Sequence, residues 1–126
     1  MLAVDTNVLV RLLAREDAKQ AHAADQFVAK GGWVSHLVLA ETVWVLDAVY
    51  DRTAAHLIAA LELLLAHDTL VLQDADTVRS ALTHFRAKPA LGFSDCLVLE
   101  IARKAGHLPL GTFDKTLSKL TGVQKL

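Results

Sequence analysis

Apolar and polar positions along this chain follow two periods. The opening "MLAV" is apolar for four residues, meets Asp5, Thr6 and Asn7, and then turns apolar again. Residues 2–4 are predicted as a short strand buried on both faces, and residues 6–13 as the helix that follows. A second helix is predicted over 18–30, stopped by Gly31-Gly32. A strand at 33–35 leads into a helix over 37–50, and after the break at Asp51-Arg52 another helix runs over 53–67. "TLVL" at 69–72 reads as a third strand, and Asp74 is placed to cap a helix reaching Ala87. Lys88-Pro89 ends that helix, because the residue before a proline is pushed out of the helical region. After the loop "PALGF", Ser94 is expected to cap a helix to Lys104, with Gly106 as its stop. "HLPLGTFD" reads as a strand interrupted by Pro109, and the tail "VQKL" as a last edge strand. Strands alternating with helices predict an open, mainly parallel α/β sheet.

Composition narrows this picture. At 126 residues the chain has the length of one compact domain. Apolar types make up 53% of the residues and the mean hydropathy is +0.35. A small domain buries a limited share of its surface, so that excess predicts apolar surface meeting a partner. No apolar run approaches the roughly 18 residues of a membrane span, and the N-terminus has no basic segment with a cleavage site, which points to a cytoplasmic protein with no membrane partner. Cys96 is the sole cysteine, and no two of the six histidines stand three or four residues apart. Cysteine-based and helical histidine metal sites are thereby excluded, leaving oxygen ligands for any metal.

Four acids fall where the helices begin. In an open parallel sheet, ligands bind outside the carboxyl ends of the strands. Asp5 follows the first strand, Asp95 sits in the first turn of its helix, and Asp114 follows "LGTF". Glu41 lies one turn into "LVLAETVWVL", a helix apolar on nearly every face, so its carboxylate is expected to turn inward and toward that same edge. No lysine or arginine stands within a turn of it, and a buried carboxylate needs a cation. A metal shared among the four acids meets that need. Each acid also has a structural role open to it: Asp5 or Thr6 as a cap of the first helix, Asp95 against a helix dipole, Asp114 as a cap of "KTLSKL". Oxygen-rich sites favour Mg²⁺ or Mn²⁺, and Mg²⁺ in particular works together with substrate phosphates. Apart from these four, 10 acidic residues stand against 13 basic ones, a balance of +3 that mildly favours a polyanion. Candidate phosphate contacts are Arg11, Arg15, Arg86, Lys88 and Lys115, each of which reads equally well as a solvated surface charge.

The stretches "VDTNVLV", "LAETVWVL", "GFSDCLVLEIARKAG" and "GTFDKTL", spread over nearly the whole chain, resemble the PIN-domain ribonucleases, and among them the VapC-type toxins of prokaryotic toxin–antitoxin pairs. The resemblance implies an α/β fold: a single PIN-like domain over residues 1–126 with a mainly parallel central sheet flanked by helices. It implies that Asp5, Glu41, Asp95 and Asp114 form a Mg²⁺-binding cluster, with Mn²⁺ as a substitute, that hydrolyses RNA phosphodiesters. The residues matching Thr6, Asn7 and Thr112 support the acids by hydrogen bonding. It also implies a homodimer held inactive by a small VapB-like antitoxin. Many relatives carry a further acid three residues before the one matching Asp95. Here that position is Gly92, which leaves one ion or two. Glu41 could ligate the metal, orient the attacking water, or both.

Two other classes compete. A haloacid-dehalogenase-like phosphatase also places an aspartate after its first strand, but needs a second acid two residues later, where this chain has Asn7. A PIN scaffold that binds partners without cutting is the non-enzymatic alternative; retention of all four acids argues against it.

Overall fold

The computed structural model describes residues Met1–Leu126, which fall into two compact units, Met1–Ala75 and Asp76–Leu126. In the first unit the elements run β1 (Leu2–Ala3), α1 (Thr6–Ala14), α2 (Ala18–Ala29), β2 (Gly32–Val34), α3 (His36–Ala48), α4 (Ala54–Ala66) and β3 (Leu70–Leu72). The three strands form one parallel sheet in the order β1-β2-β3, with Leu2 opposite Gly32 and Gly32 opposite Leu70. Parallel neighbours need a long crossover. Here each crossover is a pair of helices.

Side chains chosen for local chemistry mark where these helices begin. Asp17, Ser35 and Thr53 each accept a hydrogen bond from the backbone N–H three residues on, at 3.0, 3.1 and 3.3 Å. These contacts satisfy donors that a helix start otherwise leaves unpaired. Asp5 caps α1 differently, accepting from the N–H of Thr6 at 2.8 Å. Inside the unit, Leu9, Leu39, Leu61 and Leu64 are fully buried. Thr42, equally buried, satisfies its hydroxyl by donating to the Val38 carbonyl at 2.7 Å.

The expected burial of β1 on both faces is corrected. β1 is an edge strand, and Leu2 is 60% exposed. An uninterrupted apolar run identifies a strand without saying where in the sheet it lies.

Close packing meets β1 at Gly32. A Cβ at that position would lie 2.5 Å from Val4 Cγ2 and 3.2 Å from Leu70 Cδ2. Gly32→Ala is therefore expected to destabilise the protein by about 1–3 kcal/mol through overpacking. A lowered urea midpoint would register this effect, and an unchanged midpoint would contradict it.

The second unit holds α5 (Ala75–Ala87, opening at the boundary), a 3₁₀ turn at Pro89–Leu91, α6 (Phe93–Ala105), β4 (Leu110–Thr112), a 3₁₀ turn at Leu117–Lys119 and β5 (Val123–Lys125). β4 and β5 pair in parallel, with Gly111 opposite Gln124, so the tail forms the expected edge strand. All strand pairs in the chain are parallel, and the α/β class expected from the pattern is the one observed. Two local expectations change. α6 starts at Phe93 after Gly92, whose φ is 78°, and has no side-chain cap, so Ser94 lies inside the helix. "PALGF" contains a 3₁₀ turn because Pro89 pre-sets the φ that such a turn uses. Gly106 ends α6 in the left-handed conformation, as expected.

Candidate active site

Asp5 stands at the carboxyl end of β1. The β1–β2 ladder continues through Val4, whose N–H donates to the Trp33 carbonyl at 2.9 Å, so the chain leaves the sheet at Asp5 and turns into α1. The Asp5 side chain is exposed, and only its Oδ1 is engaged, by Thr6 N–H. Thr6 itself is buried. Asn7 is exposed and lines a cavity between α1 and α2.

Glu41 does not turn inward. α3 buries Leu39, Thr42, Val43 and Leu46, while Glu41 lies on the opposite strip with Leu37, 70% exposed, and Trp44, 63% exposed. The helix is apolar nearly all round, but only one face is packed. The burial penalty that argued for a cation at Glu41 therefore does not arise from this helix.

At the start of α3, Gln73 ties the end of β3 to the end of β2. Its N–H donates to the Val34 carbonyl at 2.8 Å, and its Oε1 accepts from His36 N–H at 2.9 Å. Nothing local signals this bridge, because its partners are 37 residues apart. The buried Nε2 of His36 has no hydrogen-bond partner.

The second unit brings two of the expected acids within electrostatic reach of each other. Partial burial, and then the charge of Asp114, hold the Asp95 carboxyl above the usual aspartate range. Asp114 is fixed by its turn: its N–H donates to Thr112 Oγ1 at 3.0 Å, and its Oδ1 accepts from Leu117 N–H at 2.8 Å. Asp114 thus fills the capping role open to it, and Thr112 supports it directly. Cys96, next to Asp95, is fully buried, and burial with the neighbouring acids pushes its thiol up to about 11. That shift and its burial favour the protonated thiol at neutral pH.

Sequence reasoning missed Glu100. It is 7% exposed on α6 and bonded at 3.2 Å to His84 Nε2 and at 3.1 Å to Arg103 Nε. Arg103 also donates to the Thr121 carbonyl at 2.7 Å, tying α6 to the turn before β5. The i,i+3 spacing of Glu100 and Arg103 is visible in the sequence, whereas the approach of His84 depends on tertiary packing.

The candidate phosphate contacts fare unequally. Arg15 is held by Asp25 in a bidentate pair at 2.8 and 2.9 Å, while Arg11 donates to the Tyr50 hydroxyl at 2.8 Å. Arg86 closes α5, Lys88 precedes Pro89, and Lys115 is exposed beside Asp114.

No three Asp, Glu, His or Cys side chains are grouped so as to hold a metal ion. What fits a hard cation is the donor chemistry of Asp95 and Asp114: oxygen only, on two exposed side chains. The raised Asp95 pKa sets a pH dependence. With its folded pKa raised, Asp95 binds more protons in the native state than in the unfolded one. Metal-free stability is therefore expected to rise as pH falls through that folded pKa toward the unfolded value. Thermal melts from pH 7 downward check this, and Mn²⁺ is expected to flatten the trend.

The crystal structure of VapC20 from Mycobacterium tuberculosis, a sarcin-ricin-loop-cleaving toxin, aligns over 98% of this chain and 97% of that one, at 21% identity and a TM-score of 0.45. No curated protein sequence matches. No helix is long and apolar enough to cross a membrane. The sequence model of the PIN domain matches residues 2–123, nearly the whole length, and the chain belongs to the PIN-domain family.

Proposed function

We propose that this protein is a metal-dependent endoribonuclease toxin that hydrolyses RNA phosphodiester bonds and is restrained by a small VapB-like antitoxin. Family membership supports a nuclease in general. The observation that carries the reading is the Asp95 carboxyl, held above its usual range first by partial burial and then by the charge of Asp114, a cost that a divalent ion would relieve. Mg²⁺ or Mn²⁺ bound there would supply Lewis acidity and an activated water for in-line attack on phosphorus. Asp95 and Asp114 would hold it, with Thr112 and the Leu117 N–H keeping Asp114 in place. Lys115, exposed beside Asp114, would meet phosphate oxygens. The assignment of Asp5 and Glu41 to the same chemistry, with Thr6 and Asn7 in support, rests on the sequence motifs. The exposed apolar strip of α3, Leu37 and Trp44 above all, supports a protein partner, either a second copy or the antitoxin.

Incubating the purified, antitoxin-free protein with total cellular RNA tests this reading. Discrete new RNA ends are expected with Mn²⁺ and none in excess EDTA. Equal cutting in EDTA, or activity confined to small phosphomonoesters, would overturn it.

A further inference from the structure

The first unit also carries a cavity of about 410 Å³ between α1 and α2. Its α1 wall is Asn7, Val8 and Arg11, three positions on one side of that helix. Its α2 wall includes Gln20, Ala24 and Phe27, which recur at i, i+4 and i+7 and so share a face. The volume lies in the range of small-molecule sites.

Four features define what such a groove can take. Phe27 is 36% exposed and lends an aromatic face to the groove. Ala23 and Ala24, one turn before it, have only methyl groups and leave room beside the ring. Asn7 and Gln20, both exposed, each offer a donor and an acceptor, the pair of functions that the hydrogen-bonding edge of a base requires. The guanidinium of Arg11 bonds the neutral hydroxyl of Tyr50 and forms no ion pair, so its charge is uncompensated. An apolar peptide face would leave that charge and both carboxamides without partners. A nucleotide matches all four.

We propose that this groove is a nucleotide subsite, seating one unpaired RNA base on Phe27 with its edge toward Asn7 and Gln20 and a flanking phosphate on Arg11. The proposal rests on the ribonuclease reading and deepens it. Unpaired bases are the part of RNA that proteins recognise by stacking and by hydrogen bonds to the base edge. Arg11 lies six residues beyond Asp5 on α1, about 9 Å along the helix axis, so a strand held here runs along the helix that Asp5 caps.

Binding can be measured apart from cutting, using a fluorescein-labelled single-stranded RNA hexamer in EDTA and fluorescence anisotropy. Phe27→Ala is expected to weaken binding about tenfold or more. Phe27→Trp should keep or improve it, because a flat ring is retained. Arg11→Gln should weaken binding and reduce the salt dependence of log K by about 0.7, one phosphate contact on a single strand. Gln20→Ala, at an exposed position, gives a weaker loss with no change in melting. Wild-type affinity in Phe27→Ala and Arg11→Gln would overturn the subsite, as would failure of Phe27→Trp to retain binding. If Phe27→Ala releases a co-purifying protein while leaving RNA affinity unchanged, the groove is a protein-docking face and the proposal is wrong. Mn²⁺-dependent cutting by the wild type, run in parallel, separates the two readings: cutting with unaffected variants removes only the subsite, whereas no binding and no cutting removes both.

Discussion

Asp95→Asn is expected to abolish RNA cleavage while leaving the fold intact. Even an outer partner of a metal site typically changes affinity or activity by roughly 10–100-fold when removed, so loss of a direct carboxylate should exceed that. Asparagine preserves shape and hydrogen bonding but removes the charge that holds a cation. It also removes the repulsion with Asp114, so the metal-free variant should melt at or above the wild-type temperature. That combination distinguishes a functional loss from unfolding. A variant that still cuts at the wild-type rate, with Mn²⁺ raising its melting temperature as in the wild type, would show that Asp95 does not hold the ion.

The largest expected change in stability comes from Leu99→Ala. Leu99 lies on α6, the helix that carries Asp95, and is fully buried. Deleting its isobutyl group removes buried apolar surface and leaves a cavity, together destabilising by about 2–5 kcal/mol. A lower urea midpoint with an unchanged slope would report it. Leu37, also a leucine but 70% exposed on α3, is the control: Leu37→Ala should change stability by no more than about 0.5 kcal/mol. The two leucines cannot be ranked from the sequence, since both sit in helices rich in apolar residues.

Much of the architecture was legible along the chain because its signals are local. The cap at Asp5, the stop at Gly106, and the change of period at each strand depend on residues within a few positions of one another, and they located the helices to within a residue or two, whereas the caps at Ser35 and Thr53 emerged only in the structure. Ser94 was misjudged because a hydroxyl near a helix start is a cap only if the chain enters the helix there. Gly92, with its positive φ, moved the entry to Phe93.

Local chemistry by itself determined the α/β class, the element order and the presence of acids just beyond strands, since turn, capping and periodicity rules operate within one or two turns. Only tertiary structure decided which faces met solvent. It made β1 an edge strand and turned Glu41 outward on α3, because a helix apolar on every side gives no preferred direction until another element covers one of its faces. It also brought His84 to Glu100, drew Gln73 across to His36 and set Asp95 within reach of the Asp114 charge. Those partners are separated by 16 residues or more in the chain, and their energies depend on burial and distance that no local pattern encodes.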